Sequence, residues 1–225
     1  MKKGFLLERL VQLYLRLNGF LTSGYVAHSP RDARNRTEID FLAVRFPHHS
    51  EPERAVPDDS YLELSKTHIE FCICEVKGGR KSAHFNYALY SSREAISSTV
   101  RWIGIFAPKK VDEVTSRLQQ LLTPSSKPNP MPLRFEVDNI RIRPLLFRPE
   151  IVSLPRDNQQ WYIPGEILIN HIFKCLRPPL PRSTCATNYS ATQWGDLAKY
   201  VNFFKSWDSK KPPSIKEIIL SFEAE

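Results

Sequence analysis

Cysteine is scarce in this 225-residue chain: it has four, Cys72, Cys74, Cys175 and Cys185. They form no disulfide framework, and no C-x₂-C pair or His-x₃-His partner accompanies them, so neither a disulfide scaffold nor a zinc site is indicated. Cys72 and Cys74 read as small buried hydrophobes, and so few cysteines point to a reducing cytoplasm. Long apolar runs are missing too, and nothing is long enough to span a bilayer. Met1-Lys2-Lys3 followed by Phe5-Leu6-Leu7 imitates the opening of a signal peptide, but Glu8, Arg9 and Arg16 interrupt it. There is no internal repeat, no Gly-rich phosphate loop and no stacking motif of an RNA-binding module.

What is there is globular and basic. Hydrophobic residues make up 41% and charged residues 25%, and the formal net charge is +8. That length suits one elaborated domain, or a domain with an appendage. The positive excess favours a polyanion, with nucleic acid the natural partner and an anionic membrane surface the alternative.

The most informative stretch is Thr67–Val76 followed by Lys77-Gly78-Gly79. β-Branched and aromatic residues ending at a Gly pair predict a buried strand. Side chains alternate along a strand, so Glu75 and Lys77 share one side and Val76 takes the other. A Glu and a Lys at the end of an apolar run cost desolvation unless they pair or bind something. A plain salt bridge satisfies that condition equally well. Thr37–Phe46 predicts a second strand, with Glu38 and Asp40 on one face and Ile39 and Phe41 on the other. Side by side, the two strands bring Asp40 to Glu75 and Lys77. Converging carboxylates are the ligands a hard divalent cation selects, and without one they repel and raise a pKa.

Asp40 followed by Glu75-Val76-Lys77, behind a first helix carrying Glu8, resembles the PD-(D/E)xK nuclease superfamily. The likeness covers roughly residues 1–110, and Ile39-Asp40 stands where Pro-Asp is nominal. The resemblance implies an α/β protein, with a three-layer α/β/α restriction-endonuclease-like core and a central mixed sheet. It implies catalysis by Asp40, Glu75, Lys77 and Glu8, with Mg²⁺ or Mn²⁺ held by Asp40, Glu75, the Val76 carbonyl and Glu8. It also implies a cut leaving a 5′-phosphate and a 3′-hydroxyl. Glu8 matches the family's first-helix acid by its distance before Gly19-Phe20; by its helical position alone, it could equally turn to solvent.

Lys3–Asn18 predicts a helix with Leu6, Leu10, Leu13 and Leu17 on one face, stopped at Asn18-Gly19. A strand over Phe20–His28 and a polar loop Ser29–Arg36 follow. Pro47–Ser60 reads as an exposed insertion with His48 and His49 on the surface, and Tyr61–Ser65 as a short strand. Arg80–Ser98 predicts a helix and Val100–Ala107 a buried strand, making a right-handed crossover parallel to 69–76. Asn86 and Tyr90 have the spacing of an auxiliary Gln and Tyr in some branches of the superfamily. Arg34, Arg36, Arg80, Lys81 and Arg93 are candidate phosphate contacts, although a charged loop can simply be solvated. Lys109–Leu122 predicts a helix with Val111, Val114, Leu118 and Leu121 on one side. Thr123–Pro132 is a connector, and Arg134–Phe147 extends the sheet. Helices follow over Pro164–Leu176, with His171 packed rather than ligating, then Thr192–Trp207 and Ser214–Phe222.

The expected organisation is a nuclease core over 1–122, a connector with additional strand over 123–160, and a helical extension over 161–225. The expected function is a metal-dependent DNA endonuclease, acting as a homodimer or through a partner docked on the C-terminal helices. Two alternatives stay open: a nuclease-fold binding or scaffolding subunit without catalysis, and the same chemistry on RNA or branched DNA.

Overall fold

The computed structural model describes residues 2–28, 35–51, 54–79, 84–124, 132–156, 160–177 and 191–223. Helix α1 (Lys3–Leu17) buries Leu6, Leu10, Leu13 and Leu17, the stripe its sequence spacing predicts. Strands β1 (Leu21–His28), β2 (Asn35–Arg45) and β3 (Ile69–Val76) follow. Then come the short α2 (Tyr87–Tyr90), α3 (Arg93–Ile103) and α4 (Val111–Leu122). A hairpin of β4 (Phe135–Val137) and β5 (Ile140–Arg148) turns at Asp138, whose φ is +54°. A two-residue β6 (Ile163–Pro164) leads into α5 (Gly165–Leu176), and α6 (Ala198–Ser206) and α7 (Ile215–Glu223) complete the described fold.

The six strands form one mixed sheet in the order β1-β2-β3-β5-β4, with β6 on β5. β1, β2 and β3 are an antiparallel meander, β3 and β5 run parallel, and β4 is antiparallel to β5. Helices cover both faces, giving three layers. On one face, Cys72, Cys74, Phe41, Ala43, Leu145 and Phe147 meet α1, α5, α6 and α7. On the other, Phe71, Ile73, Ile39, Leu42, Ile142 and Leu146 meet α2, α3 and α4. Cys72, Cys74 and Cys175 are buried free thiols, and Cys185 lies outside the described residues. No helix among the described residues is long and apolar enough to cross a membrane.

The structure departs from sequence expectation at several places. Val100–Ala107 is not a strand: Val100 to Ile103 form the last turn of α3, which Gly104 closes at φ +71°. Ile96, Val100 and Ile103 fall on one helical face, and the capping bond from the Ala95 N–H to Ser92 Oγ (3.2 Å) favours helix over strand. The parallel partner of β3 is therefore β5, reached by a longer crossover through α2, α3 and α4. The helix expected from Arg80 is broken at Ser91-Ser92, and Arg80 to Ala83 lie outside the described residues. Tyr61–Ser65 is not a strand either. Asp59 caps a 3-10 turn over Ser60–Leu62, and Glu63 leaves it at φ +47°. The last long helix is interrupted at Gly195 before α6 begins.

Residues 47–51 and 54–60 are folded back rather than free. Arg45 Nε donates to the Asn18 carbonyl (2.9 Å), and Arg54 donates to the Leu17 carbonyl. Both guanidiniums also pair with Asp58. Two cations thus meet the carbonyl end of α1, where its dipole favours positive charge. His48 is exposed, but the His49 ring lies so close to Gly19 that a Cβ there would sit 2.2 Å from it.

Candidate functional site

The middle of β2 and the end of β3, each carrying an acid, meet beside the first half of α1. Phe41 is paired with Cys74, which leaves Asp40 next in line towards Glu75. Asp40 Oδ2 accepts the Val76 N–H at 2.6 Å, tying the middle of β2 to the end of β3. In the β1–β2 ladder, Ser23 pairs with Leu42 but Tyr25 with Ile39, so Asp40 and Phe41 together oppose Gly24. That is a β-bulge, and it resets the alternation of β2. Ile39 accordingly packs on the α3 side while Phe41 packs on the α1 side. The expectation that Ile39 and Phe41 share a face fails because of this extra residue.

On β3 the alternation is regular. Val76 packs with the α1-side core, and Phe71 and Ile73 with the other, which puts Glu75 in the second row. Lys77 continues the parallel ladder by donating its N–H to the Phe147 carbonyl (2.9 Å). Its Nζ lies 2.5 Å from Glu75 Oε1. Glu75 is only 4% exposed, and its other oxygen, Oε2, is buried without a hydrogen-bond partner.

Burial is the main cause of the electrostatics here. It pushes the Glu75 carboxyl up to about 7, against the opposing pull of Lys77, and the negative charges of Asp40 and Glu38 add to the rise. Asp40 is also raised by burial, while the Val76 N–H and Lys77 oppose that shift. Glu8, half-buried on α1, is raised by burial and by the charges of Asp40 and Glu38. Asp40 and Glu38 are thus common neighbours of Glu75 and Glu8, with Lys77 opposing the rise at Glu75 and Arg9 opposing it at Glu8. The acids do not form a ready cage: among the described residues no three His, Cys, Asp or Glu side chains are grouped to hold a metal ion.

Glu150, just beyond β5, has no counterpart in the sequence expectations. Its Oε2 accepts the Gly79 N–H at 2.5 Å, and its Oε1 pairs with Lys3 Nζ at 2.6 Å. Gly79 has φ +80°, a conformation that suits glycine. Glu150 thus ties the loop after Lys77 to the start of α1. It could not be found from sequence, because it lies 73 positions beyond Lys77 and carries no motif.

The expected basic contacts are dispersed. Arg34, Arg80 and Lys81 lie outside the described residues, and Arg36 is within β2. Arg93 turns to α4, with its Nη1 2.7 Å from Ser116 Oγ and its Nη2 3.5 Å from Asp112. Asn86 is the N-cap of α2, donating nothing to the acids: its Oδ1 accepts the Ala88 N–H at 3.1 Å. Tyr90 is half-buried, and its carbonyl accepts from Gln119. His171 is packed, 6% exposed, with its ring edge-on to Tyr14 and its Nε2 3.5 Å from Cys175 Sγ.

No family model, no curated protein and no solved structure matches the chain.

Proposed function

We propose that this protein is a metal-dependent phosphodiesterase of the restriction-endonuclease-like kind, a PD-(D/E)xK nuclease acting on DNA in preference to RNA. One observation carries the reading: a buried Glu75 oxygen without a hydrogen-bond partner, on a carboxyl raised by burial and by the charges of Asp40 and Glu38 and opposed by Lys77. A fold gains nothing from concentrating like charges in a half-dry corner unless a cation or a proton relieves them. The donor set is all carboxylate and carbonyl oxygen, which suits Mg²⁺ or Mn²⁺. Asp40 and Glu75 would hold the ion, with Glu8 and the Val76 carbonyl completing the set.

A bound ion of this kind supplies Lewis acidity, lowering the pKa of water and offsetting phosphate charge. The ammonium of Lys77 is placed to orient the attacking water or to stabilise charge that develops on the scissile phosphate. Glu150 keeps the loop after Lys77 in place, and the bulge holds Asp40 against Val76. The products are 5′-phosphate and 3′-hydroxyl ends. The cytoplasm is the compartment that suits three buried free thiols. A homodimer, or a partner on the C-terminal helices, would supply target choice.

A second reading has its own support. Lys77 is already paired with Glu75, and the described acids form no closed cage, as in a nuclease fold kept for binding or scaffolding. Incubation of supercoiled, linear and single-stranded DNA, and of RNA, separates the two. Each is run with Mg²⁺, Mn²⁺ or EDTA, using wild type, Asp40→Ala and Lys77→Ala. The nuclease reading expects metal-dependent cutting that both variants lose. Binding without cutting under every condition would replace it with the scaffold reading.

A further inference from the structure

The strongest unassigned feature lies on the C-terminal helices. A groove of about 580 Å³ runs between α5 and the segment that follows α6, lined by Asn170, Phe173, Lys174, Arg177, Lys210 and Pro212, with Ser209 at its edge. Asn170, Phe173, Lys174 and Arg177 are spaced i, i+3, i+4 and i+7, a single stripe along α5. The opposite wall is held in shape rather than loose: Trp207 Nε1 donates to the Lys211 carbonyl (3.1 Å), and the Lys211 N–H donates to Ser209 Oγ (3.1 Å). Trp207 itself packs against Phe203 with the rings tilted, 5.4 Å between ring centres.

Among the described residues, three cations line the groove and no acid does. Lys174, Arg177 and Lys210 form no ion pair among the described residues. Arg177 lies 5.8 Å over the Phe173 ring, which leaves its edge free to donate. The end of a helix favours cations on its own account, which explains Lys174 and Arg177 but not Lys210, which comes from a separate segment. The acid of α5, Glu166, stands eight residues before Lys174, about 12 Å away along the helix axis. Asp208 is exposed and does not line the groove.

We infer that this groove binds the phosphodiester backbone of a nucleic-acid strand. The cations would take the phosphates, Asn170 and Ser209 would add neutral donors, and Phe173 with Pro212 would give the sugars an apolar floor. Such contacts fix position without reading sequence. The inference rests on the nucleic-acid part of the proposed function but not on catalysis.

The test is fluorescence anisotropy of the full chain with a labelled single-stranded DNA 20-mer, in EDTA and over a salt series. The variants are Lys174→Gln/Arg177→Gln/Lys210→Gln, Lys210→Gln alone, and a control with equal charge loss, Lys66→Gln/Lys109→Gln/Lys216→Gln. The groove variant should bind at least about tenfold more weakly, with a salt slope smaller by about 2, as three lost phosphate contacts require. The single Lys210 change, on a surface segment, should weaken binding about threefold without disturbing α5. Equal weakening by the control would reduce the effect to net charge and overturn the inference. Binding by the groove variant as tight as wild type, or no binding by any form, would overturn it as well. Loss confined to phosphatidylserine vesicles, measured in parallel, would assign the groove to membranes instead. Cleavage is not read here, so a wild-type protein that binds through the groove but cuts with neither Mg²⁺ nor Mn²⁺ would count against the nuclease reading only.

Discussion

β3 carries a buried glutamate near each end, and the two are treated differently. Glu70 is fully buried on the α1 side, where its Oε1 accepts the Ser65 N–H at 2.7 Å. Arg141 lies 3.4 Å from that oxygen, and the equally buried Arg143 lies 3.6 Å from the other. Arg143 also donates to the Leu62 carbonyl at 2.5 Å. One acid thus faces two guanidiniums and a backbone donor. At the other end, Glu75 and Asp40 have Lys77 as their one opposing cation, with Glu38 adding negative charge, while Glu8, raised by burial and by Asp40 and Glu38, is opposed by Arg9. Five residues apart on one strand, each glutamate has an Oε2 buried without a hydrogen-bond partner, but at Glu70 the Arg143 guanidinium stands 3.6 Å from that oxygen, whereas Oε2 of Glu75 has no ion-pair partner among the described residues. Burial alone does not mark a functional carboxylate; the ratio of acids to bases around it does.

That contrast can be broken from either end. The largest expected effect is on chemistry: Asp40→Asn should reduce metal-dependent plasmid nicking by about 10³-fold, roughly 4 kcal/mol of activation energy. Lys77→Ala should cost about 10²-fold. At the other end, Arg143→Met should leave activity per folded molecule intact while lowering stability by about 3 kcal/mol, read as a reduced urea midpoint. An unchanged midpoint would mean that Glu70 needs only Arg141.

Glu75→Gln sharpens the comparison through pH. The folded protein holds this proton up to about pH 7, whereas the unfolded value is 4.5. The unfolded chain releases the proton first, so the cost of burying the charge grows as pH rises from 4.5 and is complete above about 7. The variant should abolish cutting yet stabilise the metal-free protein by up to about 3 kcal/mol at pH 8, with the gain fading by pH 4.5. A variant no more stable than wild type at pH 8 would contradict the stored cost. The smallest effect belongs to Glu150→Gln, which keeps the shape but weakens the grip on Lys3 and Gly79. It should lose about 1 kcal/mol of stability and about tenfold in cutting, with nucleic-acid binding in EDTA unchanged.

The local periodicities were legible. Leu6, Leu10, Leu13 and Leu17 place α1, the β-branched run before Gly78-Gly79 places β3, and Val111, Val114 and Leu118 place α4. The three-layer arrangement was implied by the resemblance that Asp40 and Glu75-Val76-Lys77 carry, not by these periodicities. What was not legible depends on distant partners or on one residue of register. Val100–Ile103 suits either a strand or a helix, and a cap three residues upstream of Ala95 decides the matter. β5 gives no sign in sequence that it will lie beside β3, nor Arg143 that it will be wholly buried. At the site, Asp40, Glu75, Lys77 and Glu8 could be named from order and spacing. The bulge that turns Asp40 towards Val76 could not, because it arises from the mismatch between two strands and is written in neither.

The pairing of β3 with β5 also has a consequence for synthesis. The antiparallel meander can close as soon as residue 76 has left the ribosome, but Ile69 waits for Ile140 to cover its other side. Through that interval the nascent chain presents a bare edge of Phe71-Cys72-Ile73-Cys74, the kind of template on which other chains pair. The proposed site is in the same position, since Glu150 emerges last of its parts. A chain halted before β5 would therefore carry the loop after Lys77 without Glu150, which ties it to α1, and the strand that covers the bare edge of β3 brings that tether with it.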